Sequence, residues 1–222
     1  MPRVARSPSL PRHLERIELT ELADGEQLAG CAITGELVGI DAARVEIVES
    51  HLTDVRCTGS DLSGILLRDA VLERCDLSGA VLEDARIERC VFTECRLSGT
   101  ILASARLRHV TFRGCRMDTV SLRMAAGSAV RFEHCDLRGA DLYAAELPGS
   151  QLLDCDLTGA DVSGATLTGS ELHGSQLEAL EGVLAVRDVV IDPLQVTALA
   201  HAVLRAHGIT ISDEPARGRI EP

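Results

Sequence analysis

Tryptophan and lysine are both absent, and aromatic residues of any kind make up only 2% of the chain, as three Phe and one Tyr. The bulky anchors of an ordinary globular core are therefore missing, and aliphatic side chains must build the interior. Also lacking is an apolar run long enough for a signal peptide or a membrane span. The first residues read instead Arg3, Arg6, then Ser7-Pro8-Ser9-Leu10-Pro11-Arg12, which predicts a cytoplasmic protein with no membrane association. All 22 basic residues are Arg, and the formal net charge is −12. Such a chain is expected to repel nucleic acid and to attract basic surfaces. What is present, 45% apolar and 25% charged residues over 222 positions, suffices for one folded body.

The apolar residues follow a period of five. Of the 28 positions counted in fives from Ile47 to Gly182, 25 are Leu, Ile, Val, Met or Phe, with Cys57, Gly127 and Gly182 the exceptions. Two residues before each, from Val45 to Leu180, 26 of 28 positions hold Ala, Cys, Ser, Thr or Val, with Ile65 and Leu180 the exceptions. Each unit thus has two inward positions. A period of five suits neither a strand nor a helix, so the chain must turn a corner in every unit, which Gly at the last position would ease.

A second period of twenty lies over the first. Cys75, Cys95, Cys115, Cys135 and Cys155 are twenty apart, as are Phe92, Phe112 and Phe132. Four units therefore make one coil, and like residues stack on like. Residues 45–184 supply seven coils, a rod about 34 Å tall at the ~4.8 Å spacing of paired strands. Burying each large central side chain contributes ~1.5–3 kcal/mol, enough in sum to offset the ordering entropy of a thin rod. Gly127 takes a slot between Leu107 and Leu147, where either a void or a filling neighbour such as Met124, and with it a local irregularity, is expected.

Units such as Cys75-Asp76-Leu77-Ser78-Gly79, Cys135-Asp136-Leu137-Arg138-Gly139 and Ala160-Asp161-Val162-Ser163-Gly164 resemble the repeat of the pentapeptide-repeat family. The resemblance implies an all-β solenoid, a right-handed quadrilateral β-helix. With it the chain divides into a disordered basic tail at 1–16, an irregular N-terminal coil at 17–44, the β-helix at 45–184, a C-terminal cap at 185–211 and a disordered tail at 212–222. In the first coil Leu28 and Ile33, with Val38 a third candidate, point inward one residue out of frame, and Cys31 is a small inward residue. In the cap, Asp192 and Pro193 start a helix over about 193–207; Val196, Leu199, Val203 and Leu204 recur at helical spacing and Gly208 ends it.

Little chemistry is signalled. Stacked parallel thiols do not converge on a tetrahedral metal site, and their spacing exceeds that of a disulfide. None of the seven His has a ligand partner at useful spacing, and no set of nucleophile, base and orienting group is apparent. No metal, no cofactor and no catalysis are expected; an enzymatic reading would need a cleft.

The charge is lopsided. Arg86 to Arg138 holds ten Arg against five acids, whereas Gly139 to Val186 holds eight acids and no Arg. That is one net negative charge per ~1.4 Å of rod at the strand spacing, against ~1.7 Å for duplex DNA. Asp141, Asp161 and Glu181 should stack in one row, with Asp136, Asp156 and Glu171 alongside, and these six are the expected partner-binding acids. The chain is similar to the quinolone-resistance members of the family. That resemblance implies a negative, DNA-mimicking surface presented to a type II topoisomerase such as gyrase, and a homodimer through the C-terminal segment. The alternatives are a scaffold for an unrelated partner, and acids that only keep the rod soluble.

Overall fold

Residues 5–211 are described by the structure, a computed structural model. From Ile47 to Leu177 every large central side chain is buried, along with Cys57. Pairing is parallel, and the register is twenty: Ile47, Leu67, Ile87 and Leu107 lie in one row, and Leu52, Leu72, Phe92, Phe112, Phe132 and Leu152 in the next. About seven coils result, followed by a short C-terminal helix.

The four sides differ. Face 1 is centred on the Ile47 row and face 2 on the Leu52 row. These two carry the strands, the longest being Arg86–Thr93, Arg106–Arg113 and Ala126–Glu133, each of which runs over the corner between them. Face 3, centred on Cys57 and Leu77, and face 4, centred on Leu62 and Leu82, are joined by single bridges between turns. Every fifth residue from Arg44 to Ala179 has φ between +50° and +75°, whether or not it is glycine. The left-handed corner thus belongs to the coil. Packing of the rod holds Arg, Asp, Met and His in a backbone region that L residues disfavour.

The Phe ladder forms as the spacing predicts. Phe92, Phe112 and Phe132 stack with ring centroids 4.8 and 5.1 Å apart and interplanar angles of 23° and 8°. The small inward position has a second job. Buried hydroxyls donate to a carbonyl 23 residues earlier, Thr100 to Leu77 at 2.7 Å and Ser175 to Leu152 at 2.9 Å. Cys95, Cys115 and Cys135 thiols reach Leu72, Phe92 and Phe112 carbonyls in the same way, at 3.4–3.5 Å.

Several expectations are corrected. No irregularity marks Gly127: the strand continues through it in register with Leu107. A Cβ there would lie 2.6 Å from Leu147 Cδ2 and 2.7 Å from Val130 Cγ2, so those neighbours already fill the slot, while Met124 points to solvent. In the first coil the inward residue is Leu37, and Val38 is exposed. Leu28 and Ile33 pair nineteen residues ahead with Ile47 and Leu52, whereas Glu36 pairs twenty ahead with Arg56, so the frame slips at Thr34-Gly35. Gly35 makes this possible, with φ +140° and Leu19 O only 2.1 Å from where its Cβ would be.

Residues 5–14, expected to be disordered, lie along the corner between faces 1 and 2. Ser9 N–H donates to Asp69 Oδ1 at 3.2 Å and Arg6 N–H to His109 Nδ1 at 3.3 Å. A strand follows at Glu15–Leu19, pairing with Cys31–Gly35. The expected tail at 212–222 and residues 1–4 lie outside the described residues.

At the far end Pro193–Gln195 form a 3-10 turn and Val196–Ala206 form helix α1. Asp192 accepts from Leu194 N–H at 2.9 Å, and Gln195 Oε1 accepts from Asp192 N–H at 2.8 Å. Gln195, not Val196, enters the rod. The inward stripe is therefore Gln195, Ala198, Leu199, Ala202 and Val203.

Candidate protein-binding face

The six expected acids are distributed over three faces. Asp141, Asp161 and Glu181 share one row of face 4, bridged in register. Asp136 and Asp156 are stacked on the adjoining face 3. Glu171 belongs to face 2, opposite face 4, where Gln151 Nε2 donates to it at 2.7 Å. It is not brought together with the row.

Local geometry accounts for part of this acidity. Oδ1 of these Asp residues accepts the N–H two residues on, Asp141 from Tyr143 at 3.0 Å, Asp156 from Thr158 at 3.0 Å and Asp161 from Ser163 at 2.8 Å. Asp at the second position therefore secures the turn. The Arg-rich middle also reaches into the acidic end. Arg123 Nη1 bonds Asp141 Oδ2 at 2.9 Å, and Arg138 bonds Asp136 at 2.6 Å and approaches Asp156 at 3.7 Å. The Arg138 guanidinium holds the Asp136 carboxyl below the usual carboxylate range. Asp161 and Glu181 have no ion-pair partner among the described residues, so the unneutralised part of the row begins at Asp161.

The face-4 row is longer than the sequence reading assumed. It runs Asp41, Asp61, Val81, Ile101, Ser121, Asp141, Asp161, Glu181, with acids at both ends. Asp41 and Asp61 were legible by stepping back in twenties from Asp141.

Elsewhere ion pairs bridge successive coils. Arg74 pairs with Asp54, and Arg113 with Glu133, each across one coil. All eight cysteines are free and buried. Burial pushes the Cys57 and Cys90 thiols up to about 12, which leaves them protonated and inert at neutral pH. Among the described residues no three His, Cys, Asp or Glu are placed to hold a metal, and no helix is long and apolar enough to cross a membrane. A small apolar cavity of about 30 Å³ lies in the N-terminal coils, bordered by Leu37, Cys57 and Leu77.

A model of the pentapeptide repeat region matches residues 65–126 and 85–162. Residues 65–162 are thus a pentapeptide repeat region. No curated protein matches it in sequence. Among solved structures it is similar to QnrB1, a plasmid-mediated fluoroquinolone resistance protein in its trypsin-treated form. The identity is 20%, covering 84% of this chain and all of that one, with a TM-score of 0.50. It is also similar to a pentapeptide repeat protein of the Arabidopsis thaliana thylakoid lumen, at 23% identity over 59% of this chain and 70% of that one, with a TM-score of 0.32. HetL from Nostoc sp. strain PCC 7120, involved in heterocyst differentiation regulation, shares 18% identity over 75% of this chain and 87% of that one, with a TM-score of 0.23. The pentapeptide-repeat solenoid is a scaffold of the interaction type.

Proposed function

We propose that this pentapeptide-repeat protein binds the DNA-binding saddle of a type II topoisomerase such as gyrase by electrostatic mimicry, and so inhibits or protects that enzyme. The observation that carries the reading is the stacking of Asp141, Asp161 and Glu181 on face 4, with Asp161 and Glu181 unpaired among the described residues. Neighbouring like charges about 4.8 Å apart repel by about 1 kcal/mol even in water, and a basic partner would relieve that repulsion. Likeness of fold to QnrB1, a fluoroquinolone resistance protein, supports the choice of partner.

A second copy of the chain is proposed to dock at the C-terminal end. Leu184, Val190, Val196, Ile209 and Ile211 are exposed there and Leu194 is 92% exposed, an apolar surface that a symmetric dimer would cover.

Supercoiling by purified gyrase, measured with and without micromolar protein, tests the partner. Inhibition, or protection from a quinolone, that weakens as salt rises supports the reading; no effect on activity or drug sensitivity removes it. A second reading, an unrelated protein partner, is favoured by the neutralisation of Asp141, Asp136 and Asp156 by Arg123 and Arg138, which shortens any DNA-like stripe.

A further inference from the structure

Among the described residues, exposed large apolar side chains fall into three groups. Six lie at the C-terminal end and Val38 lies in the first coil. The remaining three, Ile101, Met124 and Tyr143, are 37%, 56% and 43% exposed. They sit on three successive coils, all on face 4 or its edge. Ile101 is in the same row as Asp141, two coils earlier. Tyr143 is two residues beyond Asp141, and Met124 N–H donates to Tyr143 O at 2.9 Å.

Two features separate this cluster from scattered surface apolar residues. The only tyrosine of the chain is held in place: Arg123 stacks over its ring at 4.4 Å while pairing with Asp141 at 2.9 Å. Its ring is thus an ordered anchor before any partner arrives. Among the described residues Met124 is the only large apolar residue at a non-glycine left-handed corner, at φ +55°. On the same edge one coil pair away the corner is Gly164, and Gly64 occupies it earlier. An exposed methionine in a strained corner serves neither the core nor the backbone, and it is the kind of residue found at adaptable binding surfaces.

From this juxtaposition we propose that Ile101, Met124 and Tyr143 form the apolar centre of a docking face for a protein segment that presents an apolar side chain between Lys or Arg residues. The charge pattern selects that partner. Along the row, Asp61 lies on one side of the apolar stretch and Asp161, beyond the Asp141 that Arg123 neutralises, on the other, so a basic group on each flank meets a carboxylate without an ion-pair partner among the described residues. The order, a desolvated aromatic and aliphatic centre inside a charged rim, is that of protein interfaces. The inference rests on the protein-binding reading of face 4 but not on the identity of the partner.

Two synthetic peptides of equal positive charge test it, one alternating Arg with Leu and Phe, the other alternating Arg with Ser. The readout is the methyl spectrum of the full chain, in which Met117 is buried and Met124 exposed. The Leu/Phe peptide should shift the Met124 and Ile101 methyls, leave Met117 in place, and bind about tenfold tighter than the Ser peptide. Met124→Gly and Tyr143→Ala should each remove that tenfold difference. Because glycine suits the left-handed corner, Met124→Gly should melt no lower than the parent, so a loss of binding in it cannot be unfolding. Equal affinity for the two peptides, or shifts elsewhere, would overturn the proposal. So would Met124 shifts that depend on protein concentration without peptide, which would make a second copy the occupant. Failure here leaves the supercoiling result standing, and a null supercoiling result leaves this one standing.

Discussion

Gln195 Nε2 donates to the backbone carbonyl of Ser175 at 2.6 Å, twenty residues earlier, and also to that of Leu172. It occupies the small inward position of a coil that is never built. Its offset of 23 from Leu172 is the one used by Thr100 and Ser175 hydroxyls within the rod. The amide therefore stands in for the missing coil, satisfying carbonyls that would otherwise be buried without donors.

Gln195→Leu should accordingly lower stability by about 1–3 kcal/mol, the cost of leaving buried acceptors unsatisfied. Urea unfolding measures the loss. Hydrogen exchange should show faster opening in the last coil and little change at the Phe ladder.

Phe112 is stacked on both sides, by Phe92 and Phe132. Phe112→Ala should cost about 3–5 kcal/mol, in the range for truncating a buried aromatic. Phe112→Leu should cost clearly less, because Leu72 and Leu152 occupy the same row. Thermal melts of the two variants give the comparison.

Cys57 sits between Leu37 and Leu77, where a leucine would complete the row, and borders the cavity of about 30 Å³. Filling it with Cys57→Val should raise stability by about 0.7 kcal/mol, from ~24 cal/mol per Å³ of cavity. A lower melting temperature would mean that the space closes around the thiol.

Asp69 is buried beneath the N-terminal segment and accepts two hydrogen bonds from Arg89, at 2.7 and 2.6 Å. The Arg89 guanidinium holds its carboxyl below the usual carboxylate range. A group whose folded value is depressed adds stability above its unfolded value, near ~3.9 for Asp. That stability is lost as pH falls through the folded value. Melting temperature should therefore drop below about pH 4, and Asp69→Asn should flatten the drop while costing about 1–2 kcal/mol at neutral pH.

The rod was legible because its two periods are carried by residues with one job each: leucines at the centre of each unit, and Phe and Cys in ladders of twenty. The ends were less so. Leu37 and Val38 are adjacent and both apolar, and only the close approach of Leu19 to Gly35 decides which turns inward. Val196 looked like the first inward residue of the cap helix because hydrophobicity was the guide, whereas a glutamine was needed to meet open carbonyls. Residues 5–14 have the composition of a tail, and their contacts with Asp69 and His109 depend on a corner between faces that no local pattern reports. The acidic row followed from spacing, but its neutralisation by Arg123 and Arg138 did not, since those arginines reach across coils. Glu171 shares a charge with the row and no face.

The central claim is that one face of the rod, not its net charge, binds the partner. Its most direct test is the affinity of purified gyrase for two variants with equal charge change: Asp161→Lys with Glu181→Lys on face 4, and Glu73→Lys with Glu133→Lys on face 2. Loss of binding in the first pair, with binding kept in the second, is the predicted result. Equal losses in both, or no binding by the parent chain, would contradict it.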